Sequence, residues 1–237
     1  MNYEFDWPLL LEEPNLGWVI EGIANTIQLS LMAWGIALVI GVLIGAIRMS
    51  KSRLLRFIGT TYVEIFRNIP LLVQLFLWFF VFPLLLPDDL MRSWNRLDGV
   101  PFFTALIGLS LFTAARIAEQ IRSGISSIPK GQFLAAYSTG LTEVQTFRHV
   151  IIPYAFRVMI PAIASEFLTI FKNSALTLTI GVAEVTGAAK TIEAYTFRGI
   201  EAYSAASLTY MFTTASVVIF MGWLEHVLRI PGLIGKR

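Results

Sequence analysis

Residues 23–47 read IANTIQLSLMAWGIALVIGVLIGAI, twenty-five positions with no Asp, Glu, Lys or Arg. The hydrocarbon core of a bilayer is crossed by about 20 predominantly apolar residues in a helix. A run of this length and purity has no place on a water-soluble domain, so it fixes the chain as a membrane protein. The rest of the composition agrees. Hydrophobic residues make up 56% of the 237 and charged residues only 14%, against about 25% charged in an ordinary soluble domain.

Outward from this run, four further stretches are long and apolar enough to cross: about 61–85 with Pro70 inside it, 102–121, 158–183 with Pro161 near its start, and 204–227. The expected fold is all-α, a polytopic membrane helix bundle of five spans forming one transmembrane domain over residues 1–237. Orientation follows from the Lys and Arg bias of cytoplasmic segments. The arm before the first span has Glu4, Asp6, Glu12, Glu13 and Glu21 and no basic residue, which also argues against a signal peptide. The next segment has Arg48, Lys51, Arg53 and Arg56 with no acid. Asp88, Asp89 and Asp98 then outweigh Arg92 and Arg96, and Arg122, Lys130, Arg148 and Arg157 outweigh Glu143. Glu184, Glu193 and Glu201 against Lys190 and Arg198 follow, and the tail carries Arg229, Lys236 and Arg237. This alternation expects the N-terminus outside and the C-terminus inside.

Polar residues within spans are costly in lipid and mark function or tight packing. Arg116, Glu119 and Gln120 fall on one helix face, and Glu119 also reaches Arg122. The two readings are a lining of the translocation path and a structural ion pair near the cytoplasmic boundary. In the fourth span Glu166, Thr169, Lys172, Asn173 and Ser174 interrupt the apolar run; at helical spacing they face either a cavity or a partner subunit. Glu64 and Arg67 share a turn and read as an anchor of the second span. Gly41 and Gly45 form a GxxxG, the spacing of close helix contacts in membranes. His149 and His226 are isolated, there is no Cys, and no metal site is expected.

The segment 126–153 is too polar to span. Pro129 opens a short helix, Gly140 sits where a left-handed residue closes one, and Thr142-Glu143-Val144-Gln145 has capping-box spacing for a second helix that Pro153 is expected to stop. Within it, Leu134-Ala135-Ala136, Gly140 and Val150-Ile151-Ile152-Pro153 resemble the EAA loop of ABC importer permeases, whose pattern is Glu-Ala-Ala-x3-Gly-x9-Ile-x-Leu-Pro. One departure stands out, since Leu134 occupies the place of the family's Glu. Further resemblance lies in Glu64 to Gln74, in Ala118 to Ile125 and in Leu168 to Leu176. Phe66-Arg67-Asn68-Ile69-Pro70, Leu111 to Arg116 and Lys172-Asn173-Ser174-Ala175 are most similar to glutamate/aspartate permease subunits.

The resemblance implies a type I ABC importer transmembrane domain in a bacterial cytoplasmic (inner) membrane, importing a polar amino acid. Glutamate or aspartate is the first reading and a basic or neutral amino acid the alternative. It implies an ATP-binding cassette ATPase dimer, a second homologous permease and an extracytoplasmic amino-acid-binding protein as partners. Leu134, Ala135, Ala136, Gly140 and Pro153 would couple to the ATPase. Arg116, Glu166, Thr169, Lys172, Asn173 and Ser174 are the candidate substrate pathway. No G-x-x-x-x-G-K-[ST] is present, so Mg-ATP would be bound by the partner and this chain needs no cofactor. No basic and aromatic cluster suggests nucleic acid. A secondary transporter would show an internal repeat, and none is visible. A scaffold would not need charged residues inside its spans.

The topology is open to direct test because the chain has no native Cys. A cysteine introduced at Asn95 is expected to react with an impermeant maleimide added from outside. Reaction only from the cytoplasmic side would overturn the five-span order.

Overall fold

The structure is a computed structural model and describes residues 3–228. The described residues form helices α1 (Asn15–Arg48), α2 (Arg53–Asn68), α3 (Leu71–Phe76, carried on by wider and tighter turns to Leu85), α4 (Asp88–Asn95), α5 (Val100–Ser126), α6 (Lys130–Ser138), α7 (Glu143–Thr146), α8 (Ile152–Ser174), α9 (Val185–Thr196) and α10 (Gly199–Leu228). Arg229, Lys236 and Arg237, the basic residues of the tail, lie outside the described residues.

The α1–α5 contact organises the bundle. Ala33, Ala37, Gly41 and Gly45 recur every fourth residue on α1, and all are buried. A Cβ on Gly41 would sit 2.7 Å from Ile117, and one on Gly45 would sit 3.0 Å from Ile121. Without side chains at these points the two backbones approach closely, and van der Waals packing replaces the hydrophobic drive that lipid cannot supply. The GxxxG is therefore a true helix contact. Because Gly41 meets Ile117 and Gly45 meets Ile121, α1 and α5 run in the same direction.

Two parallel spans require the chain to come back between them. The expected second span, 61–85, is not one helix. α2 and the segment Leu71–Leu85 meet at an angle of 104°. Pro70 is the cause: it holds Ile69 extended, with φ −90° and ψ 128°, and it has no N–H for the carbonyl of Phe66, four residues earlier. Gln74 supplies the missing donor. Its buried amide donates to Phe66 O and Ile69 O, each at 2.8 Å. An orphaned carbonyl in lipid costs several kcal/mol, so this side chain makes the bend tolerable. The bent pair counted as one crossing gives five crossings, α1, α2–α3, α5, α7–α8 and α10.

α8 runs antiparallel to α5: Met159 lies against Gly124, and Glu166 pairs with Arg116. Phe167, Ile170 and Phe171 then close a core with Leu29, Ala33, Leu75 and Leu109. Pro153 does not end the preceding helix. The turn 147–151 is wide, with Ile152 N–H bonded five residues back to Phe147 O, and helix is continuous from Glu143 to Ile180. The wide turn gives the Pro153 ring room against the preceding carbonyls and shifts the bonding so that its missing N–H leaves no gap in the ladder. Pro161 likewise sits inside α8 without breaking it. α10 is the outermost element. Phe212, Ile219 and Trp223 on it are all more than half exposed.

Candidate functional site

Three charged assemblies stand out, at different levels of the bundle. At the level where α1 ends, Glu119 of α5 receives Arg48 Nη1 at 2.5 Å and Arg122 Nη2 at 2.5 Å, and Arg67 Nη1 lies 3.6 Å away. The Arg48 side chain is only 7% exposed. Gly59 of α2 makes room for it, since a Cβ there would fall 2.7 Å from Arg48 Cγ. Glu119 thus ties α1, α2 and α5 together. The expected Glu119–Arg122 pair forms, but it is one arm of a three-arginine cluster. Arg67 stands at the far end of α2 and meets Glu119, whereas Glu64 accepts from Asn68 instead.

Deeper in the bundle, Arg116 pairs with Glu166 of α8, Nε to Oε2 at 2.6 Å and Nη2 to Oε1 at 3.0 Å. The alternative pairing of Arg116 with Glu119 does not form. Glu166 is buried, while the Arg116 side chain remains 41% exposed, with Phe112 5.8 Å below the guanidinium. The planar fork matches the carboxylate bidentately, and Nη1 makes no hydrogen bond among the described residues.

The polar stripe of α8 splits. Glu166 and Ser174 point into the bundle, where Ser174 donates to Phe171 O. Thr169 is half-buried and donates to Ser165 O. Asn173 is half-buried, and Lys172 is exposed and enters a groove of about 560 Å³ between α8 and α10 with Ser207, Tyr210, Met211 and Thr214. Lys172 has no carboxylate partner among the described residues, so it is the unspent cation of the stripe.

Two buried carboxylates at the opposite end of the bundle from Glu119 escaped the sequence reading. Glu184 caps α9, accepting Gly187 N–H at 2.9 Å, and Tyr210 of α10 donates to its other oxygen. Burial pushes the Glu184 carboxyl above the usual carboxylate range, and these two donors hold it back. Glu201 accepts Asp6 N–H at 2.9 Å and the Tyr3 hydroxyl, pinning the N-terminal arm to the start of α10.

The connection after α5 forms as expected. Thr142 and Gln145 exchange a capping box, at 3.3 and 2.9 Å, and Gly140 closes α6 with φ +83°. Ala136 is buried beneath the loop and Ala135 is exposed. Leu134 is 64% exposed, with Tyr137 and Val144 exposed near it.

A bundle of helices long and apolar enough to cross a membrane, with ion pairs between them and a polar two-helix loop between α5 and α8, is the architecture of a multi-pass membrane protein. The chain belongs to the family of binding-protein-dependent transport system inner membrane components, whose pattern matches residues 37–230. It is 38% identical to the glutamate/aspartate import permease protein GltJ of Escherichia coli over the whole of both chains. It is 33% identical to the probable glutamine ABC transporter permease protein GlnM of Bacillus subtilis, covering 89% of this chain and 93% of that one. A crystal structure of an amino acid ABC transporter with histidines superposes with a TM-score of 0.83 at 29% identity, covering 94% of this chain and 99% of that one. The fold is that of type I ABC importer transmembrane domains.

Removing the Glu119 carboxylate strands Arg48 in a nearly dry site, and breaking a buried pair in this way costs about 3–5 kcal/mol. Glu119→Ala is expected to lower the temperature at which the purified assembly loses its monodisperse peak. Adding Arg48→Met should restore part of the loss. A double variant no better than Glu119→Ala would show that Arg48 is held by something other than this carboxylate.

Proposed function

We propose that the chain forms one half of the membrane pathway of an ATP-driven importer in a bacterial inner membrane, and that its substrate is glutamate or aspartate. The observation that carries the substrate reading is two cations with unspent capacity, Arg116, whose side chain stays 41% exposed, and Lys172, exposed and without a carboxylate partner among the described residues. An acidic amino acid brings two carboxylates, and each guanidinium or ammonium contact to a carboxylate is worth about 1.5–3 kcal/mol. The full-length similarity to a glutamate/aspartate permease supports the same reading. Similarity to a glutamine permease favours a neutral amino acid as the second reading.

The partners are an ATPase dimer that binds Mg-ATP, a second permease that completes the pathway, and an extracytoplasmic amino-acid-binding protein that delivers substrate. The loop carrying Leu134, Ala135, Ala136 and Gly140 docks on the ATPase, and the continuity of α7 through Pro153 into α8 carries its displacement toward Glu166. With Leu134 in place of a glutamate, docking relies on the exposed apolar side chains Leu134, Tyr137 and Val144.

Two outcomes are expected. Lys172→Ala should leave the yield of assembled complex unchanged and lower glutamate uptake at least tenfold, the equivalent of about 1.4 kcal/mol. Arg116→Ala should lower yield as well as uptake, because it also strands Glu166. Full glutamate uptake by Lys172→Ala would move selectivity elsewhere, and stronger stimulation of ATP hydrolysis by glutamine than by glutamate would favour the neutral reading. Separately, Gly140→Val places a branched side chain at φ +83°, a strain of about 1–2 kcal/mol. Nothing lies within 4 Å of a Cβ there, so the variant should insert normally and transport poorly. Normal transport with an unaltered ATPase response would dissociate this loop from coupling.

A further inference from the structure

The placement of α2 across the ends of α1 and α5 is not accounted for by a conduit. From Gly59 to Arg67 the helix advances about 12 Å. Over that length it meets α1 at Ile44 to Arg48 and α5 at Leu111 to Glu119, and its contacts do not step along α5 in one direction: Tyr62 donates to Leu111 O, whereas Val63 packs on Ala115 and Ala118 and Arg67 lies against Glu119. It therefore crosses these spans instead of running alongside them, and it lies near the plane of the bundle's end. Its first turns, Arg53 to Ile58, project beyond the bundle and are exposed on every side.

At 100° per residue α2 has three faces. Gly59, Tyr62, Val63 and Phe66 pack on the bundle. Leu54, Ile58 and Ile65, exposed at 67, 50 and 48%, form an apolar stripe beside that contact. Arg53, Arg56, Thr60, Glu64 and Arg67 form the polar face opposite. Arg67 has no hydrogen bond within reach, only the Glu119 oxygen at 3.6 Å. Arg48 is spent on Glu119 and Lys51 on Glu143, whereas Arg53 and Arg56 have no ion-pair partner among the described residues.

A helix in the plane of the membrane end, apolar on one flank and basic on the other, fits the boundary between acyl chains and headgroups. We propose that α2 is a binding surface for anionic phospholipid. Leu54, Ile58 and Ile65 enter the acyl region, and Arg53 and Arg56 take the phosphate of the headgroup. The charge complementarity selects lipid over a protein partner, because a lipid phosphate satisfies guanidinium groups that the chain itself leaves unmatched. The cleft of about 480 Å³ that follows along the helix, lined by Phe57, Thr61, Ile65 and Ile69 and by Glu64 with its Asn68 donor, provides room for the lipid's glycerol and upper chain.

The full-length chain, with the subunits that co-purify, tests this after reconstitution in phosphatidylcholine vesicles with and without phosphatidylglycerol. A nitroxide on Leu54→Cys is expected to collide with oxygen and be shielded from a water-soluble nickel chelate. One on Thr60→Cys should show the reverse. In the lipid retained through purification, the ratio of phosphatidylglycerol to phosphatidylcholine should fall about fivefold for each of Arg53→Gln and Arg56→Gln, the equivalent of about 1 kcal/mol per basic residue at an anionic surface. Shielding of Leu54 from both reagents would mean that protein covers this face. Access of nickel to Leu54, or an unchanged lipid ratio in the double variant, would equally overturn the proposal.

Discussion

The close approach of α1 to α5 is the constraint on which the rest of the bundle depends. It needs small residues at every fourth position of α1, and it fixes the two helices parallel. Parallel spans oblige the intervening chain to return, and only 51 residues are available between Arg48 and Val100 to do so. The return is made by a helix laid across the end of the pair, a sharp bend and a short rising helix. The approach also decides where charge can sit. Arg48, at the end of the small-residue stripe, is carried against α5, so Glu119 must be there to receive it.

The charges inside the bundle differ in how much of their bonding capacity is spent. Glu119 is oversubscribed by three arginines and serves the architecture. Arg116 and Glu166 are matched bidentately, which holds α5 to α8 at mid-depth while one nitrogen stays open. Lys172 is matched by nothing among the described residues. An ionisable group in a membrane span is costly unless paired or wet, so the charges grade from fully spent at Glu119 to unspent at Lys172.

Much of this was legible in the sequence where the signal is local. The four long spans, the left-handed Gly140, the Thr142 capping box and the GxxxG contact depend on composition or on residues within one turn of each other. The failures came at prolines, whose outcome is set by the side-chain and backbone bonds around them and not by the residue type alone. Pro70 and Pro153 are both helix breakers by local rule, yet they have opposite outcomes. At Pro70 the chain bends, and the Gln74 side chain repairs the lost bond. At Pro153 a wide turn placed before the ring lets the helix pass. Ion-pair partners were the other blind spot. Helical spacing offered Glu119 to Arg116, whereas the structure chose Glu166, 50 residues away. Glu184 and Glu201 were read as loop charges because their partners Tyr210 and Tyr3 are distant in sequence.

The Gln74 bridge has a mechanical meaning. Where a continuous helix would resist bending through its whole ladder of backbone bonds, α2 and α3 are joined by an extended residue and the two bonds of one amide. Each is worth only about 1 kcal/mol net, and a side chain can swing while still holding its acceptors. The junction is a compliant joint in an otherwise stiff frame. The backbone ladder therefore adds nothing to hold the angle between α2 and α3, which is set by these two side-chain bonds and by the packing of Leu71 and Leu75 in the core.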